Sequence, residues 1–210
     1  MNIKKSLLLL LFTACSFYSS AQNYIFFLHN KFAEDHPLAD VHPEYGKTEY
    51  PEVLNEFRAN GFQVISEKRP VNTDVATYTR KVITQIDSLL KLGVKPNHIT
   101  VIGTSKGGYI AQYVSSNLKN PDVNFVFIGS YRDKDLISFP GINYCGHILT
   151  IYEKTDELGV SAIKRKETSN LRIKHFKEIE LNTGLKHGFL FKPMKEWMEP
   201  AMQWARQNYK

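Results

Sequence analysis

Near the middle of the 210-residue chain, Ile99-Thr100-Val101-Ile102 runs straight into Gly103-Thr104-Ser105-Lys106-Gly107-Gly108, followed by a helical stretch to about residue 118. Strand, glycine-flanked serine and helix in direct succession leave the backbone few conformations. The serine must occupy a tight, strained turn, and glycine two places before and after it removes side chains that would collide with the strand and the helix. The hydroxyl then projects beyond the carboxyl end of the strand, and the Lys106 amide, opening the helix, points to the same space. G-x-S-x-G in this setting is the signature of a serine nucleophile. The bland reading of the same residues is a plain glycine turn. A phosphate loop is not matched, because Lys106 precedes the last glycines and no G-x-G-x-x-G occurs.

The surrounding pattern repeats strand then helix. Tyr24–Leu28 is a continuous apolar run, as expected of a strand buried on both faces. A polar loop is expected over 31–49, then a helix opened by Pro51 and closed by Asn60-Gly61, a strand over 62–66, and a helix over 75–92 stopped by Gly93. Strands follow at 99–102, Asn124–Ile128, 147–152 and 178–181, and a last helix from about Pro193 carries Trp197, Ala201 and Trp204 on one face. This order predicts an α/β fold, a mainly parallel sheet with helices on both faces, with its chemistry at the carboxyl ends of the strands.

Residues 1–21 read as an export signal: Lys4 and Lys5, an apolar core at 7–11, and small residues Ser19-Ser20-Ala21 before Gln22. The apolar stretch, 6–17, is shorter than the roughly 20 residues a membrane helix requires. The expectation is an exported protein, periplasmic or secreted. A second reading takes Phe12-Thr13-Ala14-Cys15 as a lipobox with Cys15 lipidated. Intact mass separates a start at Gln22 from an acylated start at Cys15. Residues 22–210 then form one domain, and removal of the leader's two lysines lowers the formal charge from +6 to +4. So mild and scattered a charge does not fit a nucleic-acid surface, and Lys164-Arg165-Lys166 is expected to be a solvated segment. Cys145 is the only cysteine after the leader, so no internal disulfide can form and packing must carry the stability.

A serine nucleophile needs a base, and after a strand–serine–helix turn of this kind the partners follow as acid, then histidine. Of the histidines after Ser105, His147 opens a strand and His175 precedes one, which points both away from the carboxyl edge. His187 lies in the loop Thr183-Gly184-Leu185-Lys186-His187-Gly188, after the strand at 178–181. Asp156, in the loop after the strand at 147–152, is the expected acid, with Glu153 and Glu157 competing in the same loop and Asp133 one strand earlier. The second oxyanion donor, beside the Lys106 amide, is expected from the loop after the first strand, where Lys31 is chosen ahead of Asn30.

These residues together resemble the α/β-hydrolase family in a compact single-domain form: His29-Asn30 where the family often has His-Gly, the serine turn at Ser105, an acid at Asp156, and His187-Gly188 near the end. The resemblance implies a serine hydrolase that works through an acyl-enzyme. It implies no cofactor and no metal, and a small-molecule ester or thioester as substrate. Too little chain lies between Ile128 and His147 for a large lid. The other readings are hydrolysis of amide or peptide bonds by the same residues, and a non-catalytic binding protein that retains the fold. Glu34, Asp35, His36, Asp40 and His42 invite a metal-site reading, but they match no ligand spacing, so a polar rim over the serine is expected there. Tyr45 and Tyr50 are expected to shape a substrate pocket.

Overall fold

The computed structural model describes residues 22–210; the segment expected to be an export signal, and Cys15 in it, lie outside the described residues. In chain order the elements are β1 (Tyr24–Leu28), α1 (Lys31–Asp35), β2 (Val41–His42), β3 (Gly46–Lys47), α2 (Tyr50–Ala59), β4 (Gln63–Ile65), α3 (Val75–Lys91), β5 (Ile99–Thr104) and α4 (Lys106–Leu118). They continue as β6 (Asn124–Ile128), α5 (Asp135–Ser138), β7 (Gly146–Glu153), α6 (Ile163–Thr168), β8 (Ile173–Leu181) and α7 (Lys195–Ala205). Six strands form one sheet in the order β4-β1-β5-β6-β7-β8, each neighbouring pair parallel. β2 and β3 form a separate antiparallel hairpin.

The two-residue period of the strands divides their side chains between two cores. Ile25 and Phe27 of β1 pack with Phe57 of α2 and with Trp197 and Trp204 of α7. Phe26 and Leu28 face the other way, onto Val82 and Ile86 of α3 and Ile110 and Val114 of α4. Each fully buried side chain of this size contributes about 1.5–3 kcal/mol relative to leaving it in water. Local signals set the helix ends. The Asp74 carboxylate accepts the Thr77 amide (2.8 Å) to cap α3, and Gly93, at φ +87°, reverses the chain after it.

The strand order places the site. From β1 the chain crosses to β4 on one side and then returns past β1 to β5, so the loops leaving β1 and β5 diverge and open a crevice at their carboxyl ends. The β1 loop begins at His29, and the β5 turn carries Ser105.

Three expectations are corrected. The segment 31–49 is not one irregular loop: it holds α1, capped by the Asn30 side chain on the Ala33 amide (2.9 Å), and the β2–β3 hairpin. β8 starts at Ile173, so His175 lies within the strand, stacked on His147 of β7 and on Tyr209 at the amino end of the sheet. Arg165 is buried rather than solvated; its guanidinium donates to the carbonyls of Asp135 (2.5 Å) and Ile142 (3.0 Å) and ties α6 to α5 and to the segment after it.

Candidate active site

Ser105 sits at φ 50°, ψ −118°, a conformation that costs a non-glycine residue on the order of 1–3 kcal/mol and persists only where the surroundings enforce it. Here they do. The Ser105 amide donates to the Ile128 carbonyl (2.9 Å) across the sheet, and its carbonyl accepts the Tyr109 amide (3.1 Å). The flanking glycines are demanded by contact: a Cβ on Gly103 would lie 2.3 Å from the Gly107 carbonyl oxygen, and one on Gly107 would lie 1.9 Å from that of Leu28. The serine turn is thus wedged between α4 and the end of β1.

The structure brings Ser105, His187 and Asp156 together in one hydrogen-bonded line. His187 Nε2 is 2.9 Å from Ser105 Oγ, and His187 Nδ1 is 2.6 Å from Asp156 Oδ2. His187 lies in a short 3-10 turn, Lys186–Phe191, that follows β8, and its ring is held from the side by Tyr45 of the hairpin, with centroids 6.4 Å apart. Asp156 is buried, and its Oδ1 accepts the Leu158 amide (2.8 Å), which fixes the carboxylate plane. An aspartate in this position holds the imidazole in the tautomer whose Nε2 can accept the serine proton.

The competing acids lie elsewhere. Glu153 is fully buried and accepts hydrogen bonds from Thr155 (amide 3.3 Å, hydroxyl 3.0 Å), Thr183 (2.8 Å from both amide and hydroxyl) and the Gly184 amide (3.3 Å). Burial pushes its pKa up, but the bonds from Thr183 and Thr155 outweigh burial and hold the carboxyl below its ordinary value. Glu153 therefore ties the Asp156 loop to the His187 loop. Glu157 is exposed, and Asp133 is exposed and paired with Lys164 (2.5 Å).

Lys106 and Lys31 are the first residues of α4 and α1, positions whose amides have no acceptor within their own helix. The Lys31 side chain is exposed and ion-paired with Asp35. Asn30 in place of glycine is explained by its capping bond to α1. From Ser105 a cleft of about 930 Å³ runs along α4, lined by Lys106, Tyr109, Tyr113, Ile83 and Phe139 among others. Tyr50 does not line this cleft, contrary to expectation; it is buried against Phe27, with its hydroxyl 2.8 Å from Ser66 Oγ.

The rim expected from Glu34 to His42 is only partly a rim. His36 is exposed and Asp40 half-buried, 3.4 Å apart, but Glu34 is buried, with Arg69 Nε at 2.9 Å and Lys106 Nζ at 2.5 Å. Among the described residues no three His, Cys, Asp or Glu side chains are grouped to hold a metal ion. His29 is likewise buried. Its Nε2 accepts the Arg69 amide (2.9 Å), and its Nδ1 donates to the Asn30 carbonyl (2.8 Å). Burial and the neighbouring Arg69 push its pKa down to about 3.

Below about pH 6.5 the unfolded chain takes up a proton that folded His29 refuses until about pH 3, so stability is full above that window and falls on acidification. Between pH 7 and pH 5 this amounts to about 2 kcal/mol for His29. Urea unfolding at the two pH values is expected to show the loss in wild type and to show it reduced by about that amount in His29→Gln. The same pH slope in both proteins would assign it to other groups.

Fold and site together define the class: a six-stranded parallel sheet with helices on both faces, and a serine on a strained turn between the third core strand and its helix, constitute the α/β-hydrolase fold. Solved structures agree. SOBER1 from Arabidopsis thaliana superposes with a TM-score of 0.57 at 15% identity, over 90% of this chain and 100% of that one. An esterase/lipase from an uncultured bacterium gives 0.61 at 12% identity, over 90% and 78% of the two chains. An arylesterase gives 0.59 at 14% identity, over 90% and 75%. No protein-family profile and no curated relative matches the sequence. No helix among the described residues is long and apolar enough to cross a membrane.

Proposed function

We propose that the protein is a serine hydrolase that cleaves carboxylic esters or thioesters of small to medium substrates. His187 Nε2 takes the proton of Ser105 as Oγ attacks the substrate carbonyl, and Asp156 stabilises the imidazolium that forms. The tetrahedral oxyanion lies against the amides of Lys106 and Lys31, donors that are oriented before the charge develops. His187 then protonates the leaving alcohol or thiol, and an acyl-Ser105 intermediate remains. Water, activated by the same imidazole, releases the acid and restores the serine. The apolar part of the substrate rests in the cleft along α4.

The observation that carries this reading is the hydrogen-bonded line from Ser105 Oγ through His187 to Asp156, with bonds of 2.9 and 2.6 Å, on a serine held at positive φ. Its test is covalent labelling of the folded protein with a fluorophosphonate, followed by peptide mapping and an ester panel. Label on Ser105 with ester turnover is the expected result. Folded protein that takes no label would return the chain to the class of binding proteins that keep the fold without the reaction.

A further inference from the structure

Three charged side chains meet where α1 and α4, the elements that open with the Lys31 and Lys106 amides, approach each other: Glu34 of α1, Lys106 of α4 and Arg69 from the segment between β4 and α3. Glu34 lies one turn after Lys31 in the short helix α1. Its carboxylate is fully buried: Oε2 accepts from Arg69 Nε (2.9 Å), and Oε1 accepts from Lys106 Nζ (2.5 Å) and from the Thr73 amide (3.2 Å). Burial alone would raise its pKa, but the bonds from Lys106 and Arg69 prevail and hold it below its ordinary value, so Glu34 is a carboxylate facing two cations. Lys106 Nζ also donates to the Thr73 carbonyl (2.9 Å).

Arg69 extends the cluster to the peptide bond that matters. Its Nη2 donates to the carbonyls of His29 (2.5 Å) and Asn30 (3.4 Å), and His29 Nδ1 donates to the Asn30 carbonyl as well. The Asn30 carbonyl and the Lys31 amide belong to one planar trans peptide, so holding the carbonyl toward Arg69 turns the Lys31 N–H the opposite way. A buried ionic cluster is weak evidence for stability, since apolar residues of the same volume often serve as well. A cluster that fixes one peptide plane and the side chain of the other donor residue is suited to a different task.

We propose that Glu34 is a positioning residue: by gripping Arg69 and Lys106 together it sets the orientation and separation of the Lys31 and Lys106 amides. The inference rests on the serine-hydrolase reading above. It predicts a loss confined to the transition state, where the oxyanion exists, and little change in ground-state binding.

The test uses the mature protein with a p-nitrophenyl ester, and a trifluoromethyl ketone whose adduct with Ser105 carries the oxyanion. Glu34→Gln puts an amide where two donors converge, and Lys106→Met keeps the backbone donor while removing its tether. Each is expected to lower kcat about 10–100-fold with KM within about threefold, since complete loss of a donor costs about 10²–10³. Ketone affinity should fall by the same factor as kcat/KM. The double variant should be no worse than the poorer single variant within about threefold, because both break one interaction. Lys106→Met leaves Glu34 paired with Arg69, so it decides the matter if Glu34→Gln does not fold. Folded Lys106→Met with wild-type kcat and ketone affinity, or with a raised KM alone, overturns the clamp. Wild-type protein that is neither labelled by a fluorophosphonate nor active overturns the hydrolase reading, and the clamp with it.

Discussion

Ser105→Ala is expected to lower kcat for ester hydrolysis by about a million-fold, the scale of loss when the nucleophile of a serine triad is removed. The melting temperature should stay nearly unchanged. The strained turn is enforced by the close approach of Gly103 and Gly107 to their neighbours and by the Ser105 backbone bonds to Ile128 and Tyr109, none of which involves the hydroxyl. Deleting one half-buried oxygen opens no cavity in either core. Activity should not fall to the uncatalysed rate, because the Lys31 and Lys106 amides and the cleft remain, and such residues retain about 10³–10⁴ over water. Thermal melting and steady-state kinetics on the same preparation check both halves. A variant within about tenfold of wild type would place the nucleophile elsewhere.

The residues that could be read from the sequence are those whose role imposes a local pattern. The turn at Ser105 requires glycines at fixed offsets, so six consecutive residues announce it. β6 (Asn-Phe-Val-Phe-Ile) is buried on both faces and therefore apolar throughout, and its limits were legible to the residue. β8 is an edge strand whose first half carries Lys174 and His175 to solvent, so only its apolar-ended second half looked like a strand. α1 is a single turn stabilised by a side-chain cap, too short to show a period. Glu34, Arg69 and Lys106 are separated by 35 and 72 positions from Glu34, so no spacing joins them; the crossover through β4 and β5 does. Asp156, the expected acid, and its competitor Glu153 are three residues apart, Glu153 ending β7 and Asp156 in the loop after it. The backbone bond from the Asp156 amide to the Glu153 carbonyl (2.9 Å) makes the turn that sends one carboxyl to the threonines and the other to His187.

Asp156→Asn is expected to leave the fold intact and to cost up to about ten-thousand-fold in kcat/KM, the loss seen when a triad aspartate becomes an amide. The local geometry says why the amide is harmful. The Leu158 N–H donates to Oδ1 of Asp156 at 2.8 Å, so in the variant the atom facing Leu158 must be the carbonyl oxygen. The NH₂ group then takes the place of Oδ2, 2.6 Å from His187 Nδ1. As a donor it requires a bare Nδ1, which moves the imidazole proton to Nε2, the nitrogen that must accept from Ser105. The base is thereby offered to the nucleophile in the wrong tautomer, with every heavy atom in place. Binding of substrate in the α4 cleft should be unaffected, so the loss should appear in kcat rather than in KM. A folded Asp156→Asn within a few-fold of wild type would take Asp156 out of the triad and leave Ser105 and His187 in it.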